Sequence, residues 1–440
     1  MAGRGKQSLN PFQKMNEPAQ HLSLKQSILI KIRRYVPDII DYKLRIYIKS
    51  KQVARIIKTF RNESKSVISE RSSQVGLNVF GFLSAGLGLG EAARSTVRGA
   101  SAVGLPYSIY DISVPIHPKD PFTHCGQNEK NDFPINVFHL NPSALGALLT
   151  PQVKSAYLSA RYNIAFWFWE TTDLPDYWVA ASELFDEIWV GSSFCEAAVR
   201  AKVSKPVKRI PLNVASVNPD WEYEKKDLEI PERGFLFLTM MDFLSRAERK
   251  NPFGAVEAFQ KAFGSGNEDV FLIIKLMSSG ASRLSKKIFD LATKNPHIIV
   301  IDKFLSRPQL YALINFSDCL ISLHRAEGFG LPIAEAMSLG KPVIATGWSA
   351  NMDFMDDLNS FPVPYEMMSL ETYAPPYPKG TIWAEPNIVE TAKIMRTLFH
   401  DVQLCRQVGQ KASDDIHSKF SAVATGEKIL KRLCEIQDGF

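Results

Sequence analysis

The chain has 440 residues, of which 45% are hydrophobic and 22% charged. This length suffices for two or three domains, and the composition excludes a fibrous or wholly disordered protein. The net charge of +6 comes from one end, because residues 1–70 hold 15 Lys and Arg against 5 Asp and Glu.

Residues 1–72 form a basic extension that we expect to be partly helical. Between residues 28 and 58, apolar side chains interleave with lysine and arginine, as in amphipathic segments that bind anionic membrane surfaces. A solvated arm, or a helix packed on the protein's own body, explains the same pattern equally well. Nucleic acid is not expected as a partner, because few aromatic residues interleave with these charges and no nucleic-acid motif is present.

Cysteine content and hydropathy indicate a cytoplasmic protein. The five cysteines are scattered and never at C-x-x-C spacing, which favours neither a disulfide framework nor a zinc site. No apolar run reaches eighteen residues and the N-terminus lacks an apolar signal core. We therefore expect neither a membrane span nor a secretion signal, with peripheral contact at the inner face of the membrane as an open alternative.

From residue 73 onward, apolar strand candidates alternate with helix-length segments, a pattern typical of parallel sheets. The first candidate precedes the glycine loop Gly86 to Gly90. The strand candidates up to residue 214 lie at 78–82, 135–139, 163–169, 187–190 and 207–210. We interpret residues 73–214 as a Rossmann-like domain and residues 215–234, which are polar and rich in turn formers, as a linker.

A second alternating series predicts another Rossmann-like domain over residues 235–415. Its strand candidates lie at 234–239, 270–275, 298–301, 319–323 and 342–345. The expected fold class is α/β, with two doubly wound parallel-sheet domains facing a central cleft, where such folds bind ligands. Residues 416–440 are predicted to form a C-terminal helix that crosses back to the first domain.

Two carboxylates flank a glycine loop after the strand candidate 319–323. Glu327 to Glu335 read E-G-F-G-L-P-I-A-E, in which glycines leave the backbone bare and Pro332 suits the first position of a helix. A helix start offers free N–H groups to an anion. We place Glu335 in the first helical turn, so that the two glutamates grip different parts of one ligand. Helix-start acids and glycine loops also occur without any ligand.

With these motifs placed, residues 77–436 resemble family 4 of the retaining glycosyltransferases, which have the GT-B fold. The most specific piece is S-L-H-R-A-E-G-F-G-L-P through Glu335, which looks like that family's E-x7-E signature, followed by G-K-P-V-I-A-T at 340–346. Five further stretches resemble a bacterial subset that builds surface polysaccharides: the glycine loop with Glu91 and Arg94, Trp167–Glu170, Glu187–Val190, Glu248–Pro252 and Trp383–Pro386.

The resemblance implies roles for the residues of the signature. Glu327 would contact hydroxyls of the transferred sugar, and Glu335 would accept hydrogen bonds from the ribose, since a carboxylate accepts hydroxyl donors well. The backbone N–H groups near Phe329, Gly330 and Leu331 would meet the sugar or the diphosphate.

The resemblance also implies a cation that neutralises the departing diphosphate, a large catalytic effect in such reactions. Lys250 would supply it, together with an arginine. The family's usual G-R-L arginine is missing, because Asp242 or Phe243 stands near its position. Arg246 and Arg249 are therefore alternative arginines for this role.

Three residues of the first domain complete the implied site. His139, at the end of a strand candidate, looks like the histidine that orients a donor-sugar hydroxyl in related enzymes, although a histidine after an apolar run also serves structure alone. Gly88 and Gly90 would let the backbone approach the donor diphosphate. Alternatively, the two glycines form only a tight turn, which needs no ligand.

Other conspicuous side chains are interpreted as structural. Asp353, Asp356 and Asp357 have the spacing of a solvated helix face or cap, and the resemblance to GT-B enzymes implies that no metal is needed for catalysis. Four tryptophans are expected to pack in the core rather than stack on sugars; they are Trp167, Trp169, Trp178 and Trp189.

The activity implied is retaining transfer of a hexose from a nucleotide diphosphate sugar to a hydroxyl of a glycan or lipid-linked saccharide, without cofactor or metal. GDP-mannose is the favoured donor and a UDP-sugar the next. A non-catalytic nucleotide-sugar or glycan-binding protein is the alternative. An NAD(P)-dependent oxidoreductase is disfavoured, because the glycine loop lacks G-x-G-x-x-G with an acidic residue about 20 positions on.

Overall fold

A computed structural model describes residues 38–61, 75–112, 133–158, 161–215, 223–264, 268–277, 280, 283–374 and 376–439. Most of the predicted basic extension and residues 216–222 of the predicted linker lie outside these ranges.

The N-terminal domain is built on a six-stranded parallel sheet in the order β2-β1-β3-β4-β5-β6. Strands β1, β3 and β5 are buried along their whole length, as expected for a sheet covered on both faces. In chain order its elements are α1 (Asp38–Arg61), β1 (Leu77–Gly81), α2 (Gly88–Ala102), β2 (Tyr107–Asp111), β3 (Ile135–Phe138), a 3-10 helix (Pro142–Leu149), α3 (Pro151–Leu158), β4 (Tyr162–Trp167), α4 (Asp176–Ser182), β5 (Glu187–Val190), α5 (Ser193–Arg200) and β6 (Val207–Arg209).

The C-terminal domain has a second six-stranded parallel sheet, in the order β12-β11-β10-β7-β8-β9, and an antiparallel hairpin of β13 and β14. Its elements are 3-10 helices (Lys225–Leu228, Phe243–Ser245, Ala350–Asp353), β7 (Phe235–Asp242), α6 (Ala247–Lys250), α7 (Pro252–Phe263), β8 (Val270–Met277), α8 (Arg283–Lys294), β9 (Ile298–Asp302), α9 (Arg307–Phe316), β10 (Cys319–Ser322), α10 (Leu331–Ser338), β11 (Val343–Thr346), β12 (Phe361–Val363), β13 (Tyr365–Ser369), β14 (Ile382–Pro386), α11 (Ile388–His400), α12 (Val402–Lys419) and α13 (Ala422–Asp438).

The predicted fold class is confirmed: two Rossmann-like parallel-sheet domains form the molecule. All ten predicted strands are present within one to three residues of their expected ends. Four strands were not predicted: β2 and β12 lie at sheet edges, and β13 and β14 form the hairpin outside both sheets. Strand β2 is partly and β13 wholly exposed, so neither shows the continuous apolar run of a buried strand.

Helix α1 packs on the N-terminal domain by one face. Val53, Ile56 and Phe60 are buried in the same hydrophobic cluster as Trp178 of α4. The opposite face leaves Leu44, Tyr47 and Ile48 about half exposed. Within the described ranges, no helix has the length and apolarity needed to cross a bilayer.

The end of the chain returns to the N-terminal domain. Helix α12 continues through Lys419, past the predicted boundary at residue 415, and α13 packs along α2. The two helices touch at Gly99 and Gly426, where a Cβ on Gly426 would stand 2.2 Å from the Gly99 carbonyl oxygen. Arg432 of α13 then forms a two-pronged ion pair with the buried Glu187, at 2.6 Å and 3.0 Å.

Residues 223–234 of the predicted linker are packed rather than free. They contain a 3-10 helix, and their Leu228 and Ile230 are buried. These two side chains belong to one hydrophobic cluster that contains Val79 of the first sheet and Leu238 of the second. The two domains are therefore joined by a continuous apolar contact as well as by the chain.

Candidate functional site

A cleft of about 790 Å³ lies between the domains, at the carboxyl ends of both sheets. From the N-terminal sheet it is lined by Phe82 after β1 and Phe168 after β4. From the C-terminal sheet it is lined by Met277 at the end of β8 and by Glu327 after β10. Such a volume accommodates a small-molecule ligand.

The glycine loop after β10 turns into α10 as predicted, with a small difference in position. Gly330 precedes the helix with φ 90°, a left-handed conformation that glycine adopts without strain. The helix begins at Leu331, so Pro332 is its second residue and Glu335 lies in the second turn rather than the first. The N–H of Glu327 donates to Ser349 Oγ at 2.9 Å, which fixes the start of the loop.

Glu327 is buried beside two cations. Its Oε1 lies 2.5 Å from Lys250 Nζ and 3.1 Å from Arg249 Nη1, and the residue is 6% exposed. Burial alone would raise the pKa of Glu327, but the charges of Lys250 and Arg249 outweigh it and lower that pKa to about 2. The side chain is therefore an anion at neutral pH, able to accept hydrogen bonds but not to act as an acid.

The loop presents free backbone donors to the cleft. The N–H groups of Phe329, Gly330 and Leu331 donate no hydrogen bond within the described part of the chain, and all three residues line the cleft. The Phe329 ring packs against Phe354 and Phe420, which anchors the backbone beside it. Free N–H groups at a helix start form a ready anion site.

The two candidate arginines are held differently. Arg249 is 4% exposed, and its guanidinium forms hydrogen bonds within the protein. It donates to the Ala326 carbonyl oxygen at 2.6 Å and to the Ser245 carbonyl oxygen at 3.2 Å. Arg246 lines the cleft, and its guanidinium has no hydrogen-bond or ion-pair partner among the described residues. Its φ of 69° is unusual for a residue with a side chain, and such strained backbone is concentrated at functional sites.

Glu335 is paired with an arginine that the sequence analysis did not single out. Arg307 Nη2 donates to Glu335 Oε1 at 2.5 Å, and Tyr311 donates to the same oxygen at 3.4 Å. Burial raises the pKa of Glu335, and the Arg307 charge opposes this. Arg307 is the first residue of α9 and lines the cleft, and the sequence does not show that this helix begins at the cleft.

The two glycines at the start of α2 serve different purposes. Gly88 lines the cleft, and a Cβ there would meet no atom within 4 Å in the part of the chain that the structure describes. A Cβ on Gly90 would stand 2.5 Å from the Phe82 carbonyl oxygen and 2.7 Å from that of Ala85. Gly90 is therefore required for packing of the helix on its own loop and lies outside the cleft lining, whereas Gly88 stays available for close approach of a ligand.

His139 follows β3 but does not line the cleft in this structure. It is fully buried and stacks on Phe166 at 4.7 Å between ring centroids. Among the described residues, neither ring nitrogen has a hydrogen-bond partner, and burial lowers the pKa of His139 to about 3. This placement is that of a neutral core side chain, and it offers no access for a sugar hydroxyl.

The C-terminal domain also contributes to the cleft wall near the tryptophans. Tyr377 donates to Glu170 Oε2 at 3.0 Å, across the domain boundary, and its ring lies 5.7 Å from that of Trp169. All four tryptophans singled out in the sequence are buried, and of these Trp169 and Trp178 reach the cleft lining. The sequence offered no signal that Tyr377 would join them, because the contact spans more than 200 residues.

Asp353 has a structural role in the interface between the domains. It accepts a hydrogen bond from the Ser193 N–H at 2.8 Å, at the start of α5. Carboxylates are favoured at helix starts because they meet free N–H groups there. Among the described residues, no group of His, Cys, Asp and Glu side chains could hold a metal ion.

Comparison with known proteins supports the glycosyltransferases, the class of protein that the sequence resembles. Residues 222–415 match the family model described as Glycosyl transferases group 1. A search of curated protein sequences gives no match.

Solved structures that share the fold include three bacterial proteins. A glycosyltransferase from Rickettsia africae has 17% sequence identity and a TM-score of 0.57, with 83% of this chain and 99% of that one covered. Anabaena HepE in complex with UDP-glucose has 14% identity and a TM-score of 0.57, over 82% and 99% of the two chains. The sucrose-phosphate synthase from Thermosynechococcus elongatus has 13% identity and a TM-score of 0.57, over 85% and 98%.

The fold is therefore GT-B, as predicted, and the cleft lies where proteins of this architecture bind ligands. The family match over residues 222–415 supports glycosyl transfer as the activity.

Proposed function

We propose that the protein transfers a hexose, with retention of configuration, from a nucleotide diphosphate sugar to a hydroxyl of a growing glycan or lipid-linked saccharide in surface polysaccharide synthesis. The observation that carries this proposal is the ion pair of the buried Glu327 with the half-buried Lys250, beside three free N–H groups at the start of α10. An anion that accepts from hydroxyls and a cluster of donors for oxyanions lie within one cleft.

In this proposal each charged group has a separate task. Glu327 binds hydroxyls of the sugar, while the N–H groups of residues 329–331 and the ammonium group of Lys250 meet the diphosphate. Arg246 is the better candidate for the additional cation, because Arg249 is already committed to carbonyl oxygens inside the protein. Two carboxylates flanking the bond, as in glycosidases, are not required.

The departing phosphate would take the proton of the acceptor hydroxyl on the same face of the sugar, so the protein supplies no nucleophile. The proposal includes no metal ion or cofactor. We favour GDP-mannose as donor on the resemblance of the sequence, and we include UDP-sugars because the HepE structures hold UDP and UDP-glucose.

The proposal is tested by binding and turnover of candidate donors. UDP, GDP and ADP sugars are screened by thermal shift, because a ligand of the native state raises the melting temperature. Hydrolysis of the best donor is then measured for the wild type, Glu327→Gln and Lys250→Met. Loss of a group that stabilises developing charge should lower kcat by about 10²–10³-fold, with EDTA leaving the wild-type rate unchanged.

A control variant far from the cleft, and the result expected of a non-catalytic binding protein, complete the test. Lys393→Met, an exposed position on α11, should leave turnover unaltered. Binding of a nucleotide sugar with no hydrolysis or transfer under any condition would favour the non-catalytic binding protein. Unchanged turnover in Glu327→Gln and Lys250→Met would refute the assigned site.

We further propose that α1 contacts an anionic membrane surface. Its outward face carries the exposed Leu44, Tyr47 and Ile48 next to Lys43 and Lys51, and each basic residue near such a surface contributes about 1 kcal/mol. This arrangement of apolar and basic side chains suits the interface between lipid headgroups and acyl chains.

Removal of the whole extension would be a poor test, because Val53 and Ile56 complete the hydrophobic cluster of the domain. Sedimentation of the full chain with phosphatidylglycerol vesicles should instead be compared with that of a variant in which Lys43, Lys51 and Arg55 are replaced by Glu. The matched control replaces three exposed lysines of α8, namely Lys286, Lys287 and Lys294. Equal binding by all three proteins would exclude a membrane role for α1.

A further inference from the structure

One arginine joins two glutamates that belong to different domains. Arg307 Nη2 lies 2.5 Å from Glu335 Oε1, on α10 of the C-terminal domain, and 3.8 Å from Glu91 Oε1, on α2 of the N-terminal domain. All three residues line the cleft. Since the cation is shared, its position depends on both domains.

The hydrogen bonds to Glu335 leave part of its carboxylate available. Within the described residues, every hydrogen bond that the Glu335 side chain accepts falls on Oε1, from Arg307 and Tyr311. A carboxylate has two oxygens and about four acceptor sites. Oε2 is therefore left for a ligand, and its direction is set by the donors that hold Oε1.

Arg307 is itself restrained from both sides. Its guanidinium stacks 4.6 Å from the Tyr311 ring centroid on α9. Across the cleft, Glu91 is held by Arg94 at 2.7 Å and by Arg98 at 2.8 Å. Arg94 also donates to the carbonyl oxygens of Leu83 and Ala85, just before α2, so the glycine loop of the N-terminal domain is connected to Arg307 through charged contacts.

We propose that Arg307 is a positioning residue of the nucleotide subsite, which directs Glu335 Oε2 toward the ribose hydroxyls and makes this direction depend on the N-terminal domain through Glu91. The inference rests on the proposed function, in which Glu335 binds the ribose. Because the ribose lies away from the bond that breaks, loss of this contact should weaken binding without slowing the chemical step.

The test compares nucleotides with and without ribose hydroxyls. Affinities of UDP, GDP and their 2′,3′-dideoxy forms are measured by calorimetry for the wild type, Glu335→Gln, Arg307→Gln and Arg307→Lys. The wild type should prefer the ribonucleotide about tenfold or more, since a buried polar group left unpaired is costly. Glu335→Gln and Arg307→Gln should lose this preference, and Arg307→Lys should retain part of it because it keeps the charge.

Turnover provides the second readout. In donor hydrolysis, Arg307→Lys should raise KM several-fold with kcat unchanged. The affinity of Arg307→Gln for the ribonucleotide and for the dideoxynucleotide could instead fall by the same factor, so that the preference for ribose is kept. This result would show a merely structural role for Arg307 and overturn the inference.

The two proposals fail in different ways. Loss of ribose preference in Glu335→Gln but not in either Arg307 variant overturns this inference and leaves the proposed function standing. Absence of binding by UDP, GDP and ADP and by their sugars in the wild type overturns both.

The dependence on Glu91 of the N-terminal domain is tested by a double-mutant cycle of Glu91→Gln and Arg307→Lys, in which the preference for ribose is measured. Coupled effects are expected, because the two side chains share one contact. Additive effects would remove Glu91 from the inference.

Discussion

At the scale of single residues, each glutamate of the candidate site is buried against a cation. Glu327 lies between Lys250 and Arg249, and Glu335 accepts from Arg307. Removing one partner of such a pair leaves an uncompensated buried charge, which costs about 3–5 kcal/mol. Loss of activity in these variants therefore has to be separated from loss of folding, and neutral isosteres such as glutamine are the informative substitutions.

His139 permits a prediction that distinguishes core packing from a role in catalysis. The unfolded chain takes up a proton at this ring below its ordinary pKa of 6.5, whereas the buried ring resists protonation until about pH 3. Since the folded-state pKa is depressed, wild-type stability should fall as the pH drops from 6.5 toward 3. In His139→Phe, which keeps the stacked ring on Phe166, this contribution is absent.

Chemical denaturation of both proteins at several pH values measures the difference. The variant should gain stability relative to the wild type by ~1.4 kcal/mol for each pH unit within that window, and it should retain donor hydrolysis. A His139→Phe protein that is stable but inactive would restore the predicted contact between His139 and the donor sugar.

At the scale of elements, the start of α2 shows how one short sequence meets two requirements. Gly90 allows the helix to lie against the carbonyl oxygens of Phe82 and Ala85, whereas Gly88 faces open space in the cleft. The two glycines are two positions apart, so they point to different sides of the helix start. A bare G-x-G pattern cannot separate these uses.

Alanine substitutions at the two glycines should accordingly have opposite signatures. Gly90→Ala should lower the free energy of unfolding by at least about 2 kcal/mol, because its Cβ meets backbone atoms that cannot move alone. Gly88→Ala should leave stability unchanged or slightly higher, and weaken binding of UDP or GDP. Urea denaturation and calorimetry of both variants provide the comparison, and equal stabilities would contradict the assigned packing.

At the scale of the whole molecule, the C-terminal helix α13 fastens the second domain to the first. Its Arg432 pairs with Glu187, which is fully buried and also accepts from Trp189 Nε1 at 2.8 Å. The same helix crosses α2 at Gly99 and Gly426. Glu91 also lies on α2, so the same helix of the N-terminal domain contacts α13 and lines the cleft.

The contact of α13 with the first domain should be sensitive to Arg432. Arg432→Ala leaves Glu187 without its cation and should lower stability by about 3 kcal/mol, with a smaller loss for Arg432→Lys. Glu435→Gln removes the other, exposed partner of Arg432 and should change stability by less than about 1 kcal/mol. Thermal unfolding of the three variants checks this, and similar melting temperatures for Arg432→Ala and Glu435→Gln would contradict it.

The sequence by itself determined the architecture, because strands buried on both faces appear as continuous apolar runs such as 270–274 and 319–321. It also located the Glu327 loop, since the glycines, Pro332 and the carboxylates are neighbours along the chain. The ion pairs of the site depended on tertiary structure. Arg307 meets Glu335 only because α9 and α10 both begin at the same carboxyl edge of one sheet, and it meets Glu91 only because the two domains face each other. Contacts between distant segments follow from packing of whole elements, which local patterns of residues do not encode.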